Sequence, residues 1–162
     1  MLNWIEIGSA ASIGVDMRHT VSRLALCGAL LLCLCAVIPG QAYGQDTAEA
    51  QEVANQWLAL VDSGKYGESW DQAAQSFKAA VSRAEWIRKV AAARKPLGTL
   101  NSRKLTKSNL IKDPPNSPPG EYVGILYQSS FHNLTSAVET VVPMLDKDGK
   151  WRVSGYIVRK AG

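Results

Sequence analysis

The hydrophobic period of this chain changes once, at Pro96-Leu97-Gly98. Upstream, apolar residues recur every three or four positions, the spacing of one helix face. Downstream they alternate, the spacing of one sheet face. Segregated helices followed by strands predict an α+β fold, with helices packed on an antiparallel sheet.

The helical half reads as three elements. The first begins near Gln45, where Asp46 or Thr47 can cap it, and carries a stripe of Val53, Trp57, Leu60 and Val61. Ser63-Gly64 stops it, because glycine tolerates the left-handed conformation at a helix end. A second, short helix follows, with Tyr66, Trp70, Ala73, Ala74 and Phe77 on one side. The third opens on Ser82-Arg-Ala-Glu85, a capping box in which two side chains satisfy orphan backbone amides. The apolar pattern turns Trp86, Ile87, Val90 and Ala93 inward and Arg83, Arg88, Lys89, Arg94 and Lys95 mainly outward.

Four strands follow. Leu100–Ile111 is polar and rich in lysine and serine. The segment 113–120 cannot pair in a sheet, since its four prolines lack the amide donor. Tyr122–Phe131 places Val123, Ile125, Tyr127, Ser129 and Phe131 on one face. Ala137–Leu145 and Trp151–Val158 form a hairpin across Asp146–Lys150. Trp57, Trp70, Trp86 and Trp151 supply the core; the other reading of these rings is a stacking platform for sugars or bases.

Residues 1–44 read as a secretory signal. Leu24–Ile38 is apolar and uncharged, Arg18 and Arg23 precede it, and small residues follow. The run is shorter than the roughly 20 residues that span a bilayer. Ala42 and Gly44 suit positions −3 and −1 of a cleavage site, which puts the mature domain at 45–162. Met17-Arg18-His19 makes a better signal start than Met1, whose first sixteen residues contain two acids and no base. Cys27, Cys33 and Cys35 all lie in the signal, so the mature chain is expected to hold no disulfide, thiolate metal site or cysteine nucleophile. His132 is its one histidine. No phosphate-binding loop is present, and neither a cofactor, a metal nor a nucleic acid is expected. The destination is the periplasm or the exterior.

The net charge of +4 is unevenly spread. Residues 45–71 hold six acids against Lys65, and residues 83–112 hold nine bases against Glu85. Such polarity can steer an anionic partner. Arg88, Lys89, Arg94, Lys95, Arg103, Lys104 and Lys107 are the candidate patch, for anionic lipid or polysaccharide. The ordinary alternative is a solvated helix face beside a lysine-protected edge strand.

The run Trp57-Leu-x-Leu-Val-Asp62-x-Gly64-x-Tyr66-x-x-Ser69-Trp70 resembles the opening of the bacterial family called domain of unknown function 4019. So do Phe77, Trp86, Arg94-x-Pro96-Leu97-Gly98 and Arg103 in the middle. Tyr122-Val-x-x-x-Tyr127, Glu139 and Asp148-Gly-x-Trp151-Arg-Val-x-Gly155-Tyr156 resemble its end. More loosely, the element order is similar to the cystatin-like or nuclear-transport-factor-2-like cone, a curved sheet with helices packed into it. That superfold hosts isomerases, dehydratases, binding modules and adaptors, so it selects no function.

Asp62, Tyr66, Tyr127, Glu139 and Tyr156 are the polar residues inside the family-like runs, and they form the candidate pocket. In a dry pocket an acid and a phenol could enolise a ketone, as in an isomerase or a lyase. The structural alternative has Asp62 and Tyr66 tying a helical turn and Glu139 pairing with a sheet neighbour such as Arg152. Asp146–Lys150 departs from a calcium loop at its fifth, sixth and twelfth positions and reads as a turn. His132 reads as a surface turn residue, with no partner at a recognisable spacing. The favoured function is a non-catalytic binding or accessory module of the envelope. Its partner would be another envelope protein, a small apolar ligand or a second copy of itself.

Overall fold

The computed structural model describes residues 42–162, with side chains from Thr47 onward. The expected signal therefore lies outside the described residues except for Ala42–Gly44, as do the three cysteines and the alternative start at Met17. The described residues belong to one compact unit, Pro39–Gly162. Its elements are α1 (Ala42–Asp62), α2 (Tyr66–Asp71), α3 (Gln75–Ala80), α4 (Arg83–Arg94), a 3₁₀ turn (Lys95–Leu97), β1 (Leu100–Lys112), β2 (Glu121–Phe131), β3 (Leu134–Leu145) and β4 (Trp151–Lys160). The four strands make an antiparallel sheet in the order β1-β2-β3-β4. Helices followed by this open sheet are the α+β arrangement that the change of period predicts.

Helix α1 starts upstream of the expected caps, and its core face is Ala50, Ala54, Trp57, Leu58 and Val61. Leu58 is fully buried and Leu60 only half so, which turns the stripe slightly from its expected direction. The second expected helix is two. Ala74 adopts an extended conformation, and its amide donates to the Val153 carbonyl of β4 at 2.9 Å. Docking onto the sheet edge breaks the helix where the sequence, with two alanines, shows no breaker.

Helix α4 begins as the capping box predicts in one respect. Ser82 accepts from the Glu85 amide at 3.3 Å. The Glu85 carboxylate goes instead to Lys89, at 2.8 Å. Trp86 and Val90 face the core, but so does Arg94, while Ala93 is exposed. Positions 86, 90 and 94 are spaced by four and so share one face. The outward placement expected for Arg94 is therefore corrected.

Trp57, Trp86 and Trp151 are buried and Trp70 is half-buried, all in or against the core rather than on an open platform. Three indoles meet their donor needs locally. Trp57 donates to the Ser69 carbonyl (2.7 Å), Trp86 to the Ser69 hydroxyl (2.9 Å) and Trp70 to the Val81 carbonyl (2.8 Å). Trp86 lies 5.6 Å from Trp57 and edge-on to Phe77 at 5.0 Å. Tyr156 of β4 reaches up to both tryptophans, at 5.5 and 6.5 Å. These rings fill the space between helices and sheet.

Register fixes the two faces of the sheet. Arg103 lies opposite Ser129, and Leu105 lies opposite Tyr127, which in turn faces Glu139. All five point toward the helices. The Asp146–Lys150 turn is held by Arg152, which binds Asp146 at 2.9 Å and Asp148 at 2.7 and 2.8 Å. Arg152 is thus not the partner of Glu139, which lies on the opposite face. Those Arg152 bonds hold the Asp148 carboxyl down at about 2.

Candidate functional site

Helices α1 and α4 end on opposite charges that meet in one place. Asp62 is the last residue of α1 and Arg94 the last of α4. A cation suits the negative end of a helix dipole; an anion does not, and needs compensation. Two arginines provide it. Arg94 Nη2 donates to Asp62 Oδ1 at 2.5 Å, and Arg103 of β1 binds Asp62 with both terminal nitrogens, at 2.7 and 3.0 Å.

The same arginines hold Glu139 from β3, which is fully buried. Arg94 Nη1, Arg103 Nη2 and the Tyr156 hydroxyl donate to Oε1, at 3.0, 3.0 and 2.6 Å. Arg103 Nε and the Ser129 hydroxyl donate to Oε2, at 2.7 and 2.5 Å. Arg94 also donates to the Tyr156 oxygen at 3.2 Å and lies over the Phe131 ring at 4.4 Å. Two carboxylates and two guanidiniums therefore form a neutral cluster joining α1 and α4 to all four strands, buried at Glu139 and open to the cleft at Asp62.

Burial by itself would raise the Glu139 carboxyl. The Arg103 hydrogen bonds and charge, with the Ser129 and Tyr156 hydroxyls, outweigh it and hold Glu139 below the usual range. Burial, then the Glu139 charge, pushes the Tyr156 phenol far up. For Arg103 burial works against the charge, but the bonds to Asp62 and Glu139 prevail. Glu139 is thus a fixed anion and Tyr156 a fixed phenol.

Above the cluster lies a cleft of about 230 Å³ lined by Val61, Asp62, Tyr66, Arg94, Lys95, Gly98 and Thr99. Gly98, at φ 76° and ψ −160°, turns the chain from the helical layer into β1. Its neighbours are pinned by the β2–β3 turn, where His132 and Asn133 amides donate to the Thr99 and Leu97 carbonyls, both at 2.9 Å. His132 itself is exposed in that turn.

A family model described as "Protein of unknown function (DUF4019)" matches residues 53–156. The chain belongs to this DUF4019 family. No curated protein matches it. Among solved structures, the DUF4019 chain is similar to one from Catenulispora acidiphila, at 14% identity and a TM-score of 0.49, over 72% of this chain and 92% of that one. A second structure from the same organism, in complex with S-DNPA, gives 16% identity and a TM-score of 0.48, over 72% and 94%.

In the DUF4019 chain the five candidate pocket residues divide. Asp62 and Tyr66 line the cleft, while Glu139 and Tyr156 lie in the cluster beneath it with Asp62. Tyr127 stands apart and donates to Asn55 of α1 at 2.8 Å. Burial raises its phenol as well. Asp62 binds arginines rather than tying a helical turn. The seven-residue basic patch also divides. Arg94 and Arg103 are 5% and 13% exposed and neutralised within the cluster, because carboxylates wait for them beneath the helices. Lys89 pairs with Glu85. Arg88, Lys95, Lys104 and Lys107 are exposed. Ser129 and Ser69 were not singled out in the sequence. The signals for them were the inward position of Ser129 in the alternation of β2 and the place of Ser69 in the family-like run. Among the described residues no group of three histidine, cysteine or acidic side chains could hold a metal ion.

Proposed function

We propose that this chain is an exported envelope protein whose mature domain is a non-catalytic binding module, with its cleft as the binding site. One observation carries the reading: Glu139 accepts five hydrogen bonds. A carboxylate offers about four lone-pair directions, so none is left to take a proton from a substrate. The Tyr156 hydroxyl is spent on Glu139. The acid and the phenol that an isomerase would need are consumed by each other and by two arginines.

Asp62 is different. Arg94 and Arg103 both bind Oδ1, and Arg103 alone binds Oδ2. With its side chain 21% exposed, Asp62 can still accept a bond from a donor in the cleft. Val61 and the Tyr66 ring give that donor an apolar wall, and Lys95 adds a cation at the rim. A small apolar ligand carrying one hydroxyl group fits this chemistry, as does such a side chain on a partner protein. Titration with small apolar alcohols, followed by amide NMR, tests it. Shifts should cluster at Val61, Tyr66, Lys95, Gly98 and Thr99. Shifts scattered elsewhere, or chemical turnover of the probes, would refute the reading.

Export rests on the signal-like pattern of residues 18–44. Mass spectrometry of envelope fractions should give an N-terminus at Gln45 or close to it. A chain retaining Leu24–Ile38 in the membrane fraction contradicts this.

A further inference from the structure

The sheet has a second face, turned away from α1 and α4. The bonds from those helices reach Arg103, Tyr127, Glu139 and Tyr156, all on the inner side. Strand alternation and register set the outer face in rows. Lys104, Gln128, Val138 and Arg159 lie side by side across the four strands, and Lys107, Leu126, Thr140 and Ile157 form the next row. A third row is Asn109, Gly124, Val142 and Gly155.

Three properties of this face belong together. Its centre is apolar and accessible: Ile157 is 40% exposed, and Leu126, Val138 and Val142 are only half-buried. Gly155 leaves Val142 without a neighbouring side chain on β4, and on the other side the Ile111 side chain leans over Gly124 and extends the apolar surface. Its margins are cationic, and these three rows hold no acid at all. Lys104 and Lys107 on one edge strand and Arg159 on the other are exposed, and no ion pair engages them among the described residues. The acids Glu49, Glu52 and Glu68 are on the helices instead.

We infer that the outer sheet face is a docking surface for an anionic lipid bilayer. A part-exposed apolar centre between cations matches the boundary between anionic headgroups and acyl chains. Each cation near such a surface adds about 1 kcal/mol of attraction, screened by salt. A second copy of the chain fits less well. Stacking two such faces would bring cations together with no carboxylate to pair with them. The inference is independent of the cleft, which opens on the helix side. It replaces the patch expected from residues 83–112, since Arg94 and Arg103 turn inward while Arg159 joins Lys104 and Lys107.

The test is methyl NMR of the full chain with vesicles carrying a paramagnetic headgroup. Residues 24–38 can bind any bilayer, so phosphatidylglycerol-containing vesicles are compared with pure phosphatidylcholine. Methyls of Leu126, Val138, Val142 and Ile157 should broaden with the anionic vesicles and not with the neutral ones. Broadening should vanish at about 0.5 M salt, where the Debye length is only a few ångström. Lys104→Gln/Lys107→Gln/Arg159→Gln should weaken the anionic-specific binding about 100-fold. Circular dichroism of this surface variant checks that it remains folded. Equal broadening with both lipids, or broadening of Val61 instead, overturns the inference. So does concentration-dependent broadening of the face without vesicles, which would mean that a second copy covers it.

Discussion

Arg94 is a charge at 5% exposure, so its stability depends on what replaces its water. Asp62, Glu139, Tyr156 and the Phe131 ring do so. Removing one member of such a cluster leaves its partners charged and dry, and that cost exceeds the worth of the pair itself. Arg94→Met should therefore destabilise the fold by about 3–5 kcal/mol in a urea melt. A change below about 1 kcal/mol, the value of a surface ion pair, would show that water reaches the cluster. Arg94 was half legible in the sequence. Its charge pointed outward, and its spacing of four from Val90 pointed inward. Propensity and hydropathy cannot decide such a case, because the deciding partners lie 32 and 45 positions away.

Element by element, the pattern was readable where one period dominates. The four strands and α4 follow their alternation or capping signal to within a few residues, because each buries one continuous face. The split of α2 from α3 was hidden, since its cause is a bond to β4 rather than a local breaker. The connection between the layers was readable as Pro-Leu-Gly, but its tightness was not. Gly98 holds a conformation open essentially to glycine alone, and a Cβ there would meet the His132 Cβ at 3.0 Å. Gly98→Ala should cost about 1–3 kcal/mol and disturb the amides of Leu97, Thr99 and Asn133, which can be read by thermal melts and amide NMR. An unchanged melting temperature would mean that this turn does not fix the cleft wall.

At the scale of the whole molecule, the cluster links stability to pH. The Glu139 carboxyl is lowered in the folded state, so its contribution is present above its ordinary value of 4.5 and is lost as pH falls through the lower folded value. Tyr156 is raised, so its contribution is present below its ordinary value of 10.0 and is lost as pH climbs toward the folded value. Stability limited by these two groups should be flat between them and fall on both sides. This separates a fixed structural charge from a catalytic one, whose carboxyl would have to exchange its proton near the working pH. Asp62, Tyr66, Tyr127, Glu139 and Tyr156 were legible as the polar residues of the family-like runs, but their division between cleft, cluster and the Asn55 bond was not, because five donors converge on Glu139 only after three strands and a helix meet. The most direct measurement is the side-chain carboxyl carbon shift of Glu139 followed by NMR against pH. No titration is expected until the pH is below 4.5, with the fold giving way in the same range. A titration step near neutral pH in the intact fold would contradict this and make Glu139 a poised acid–base group.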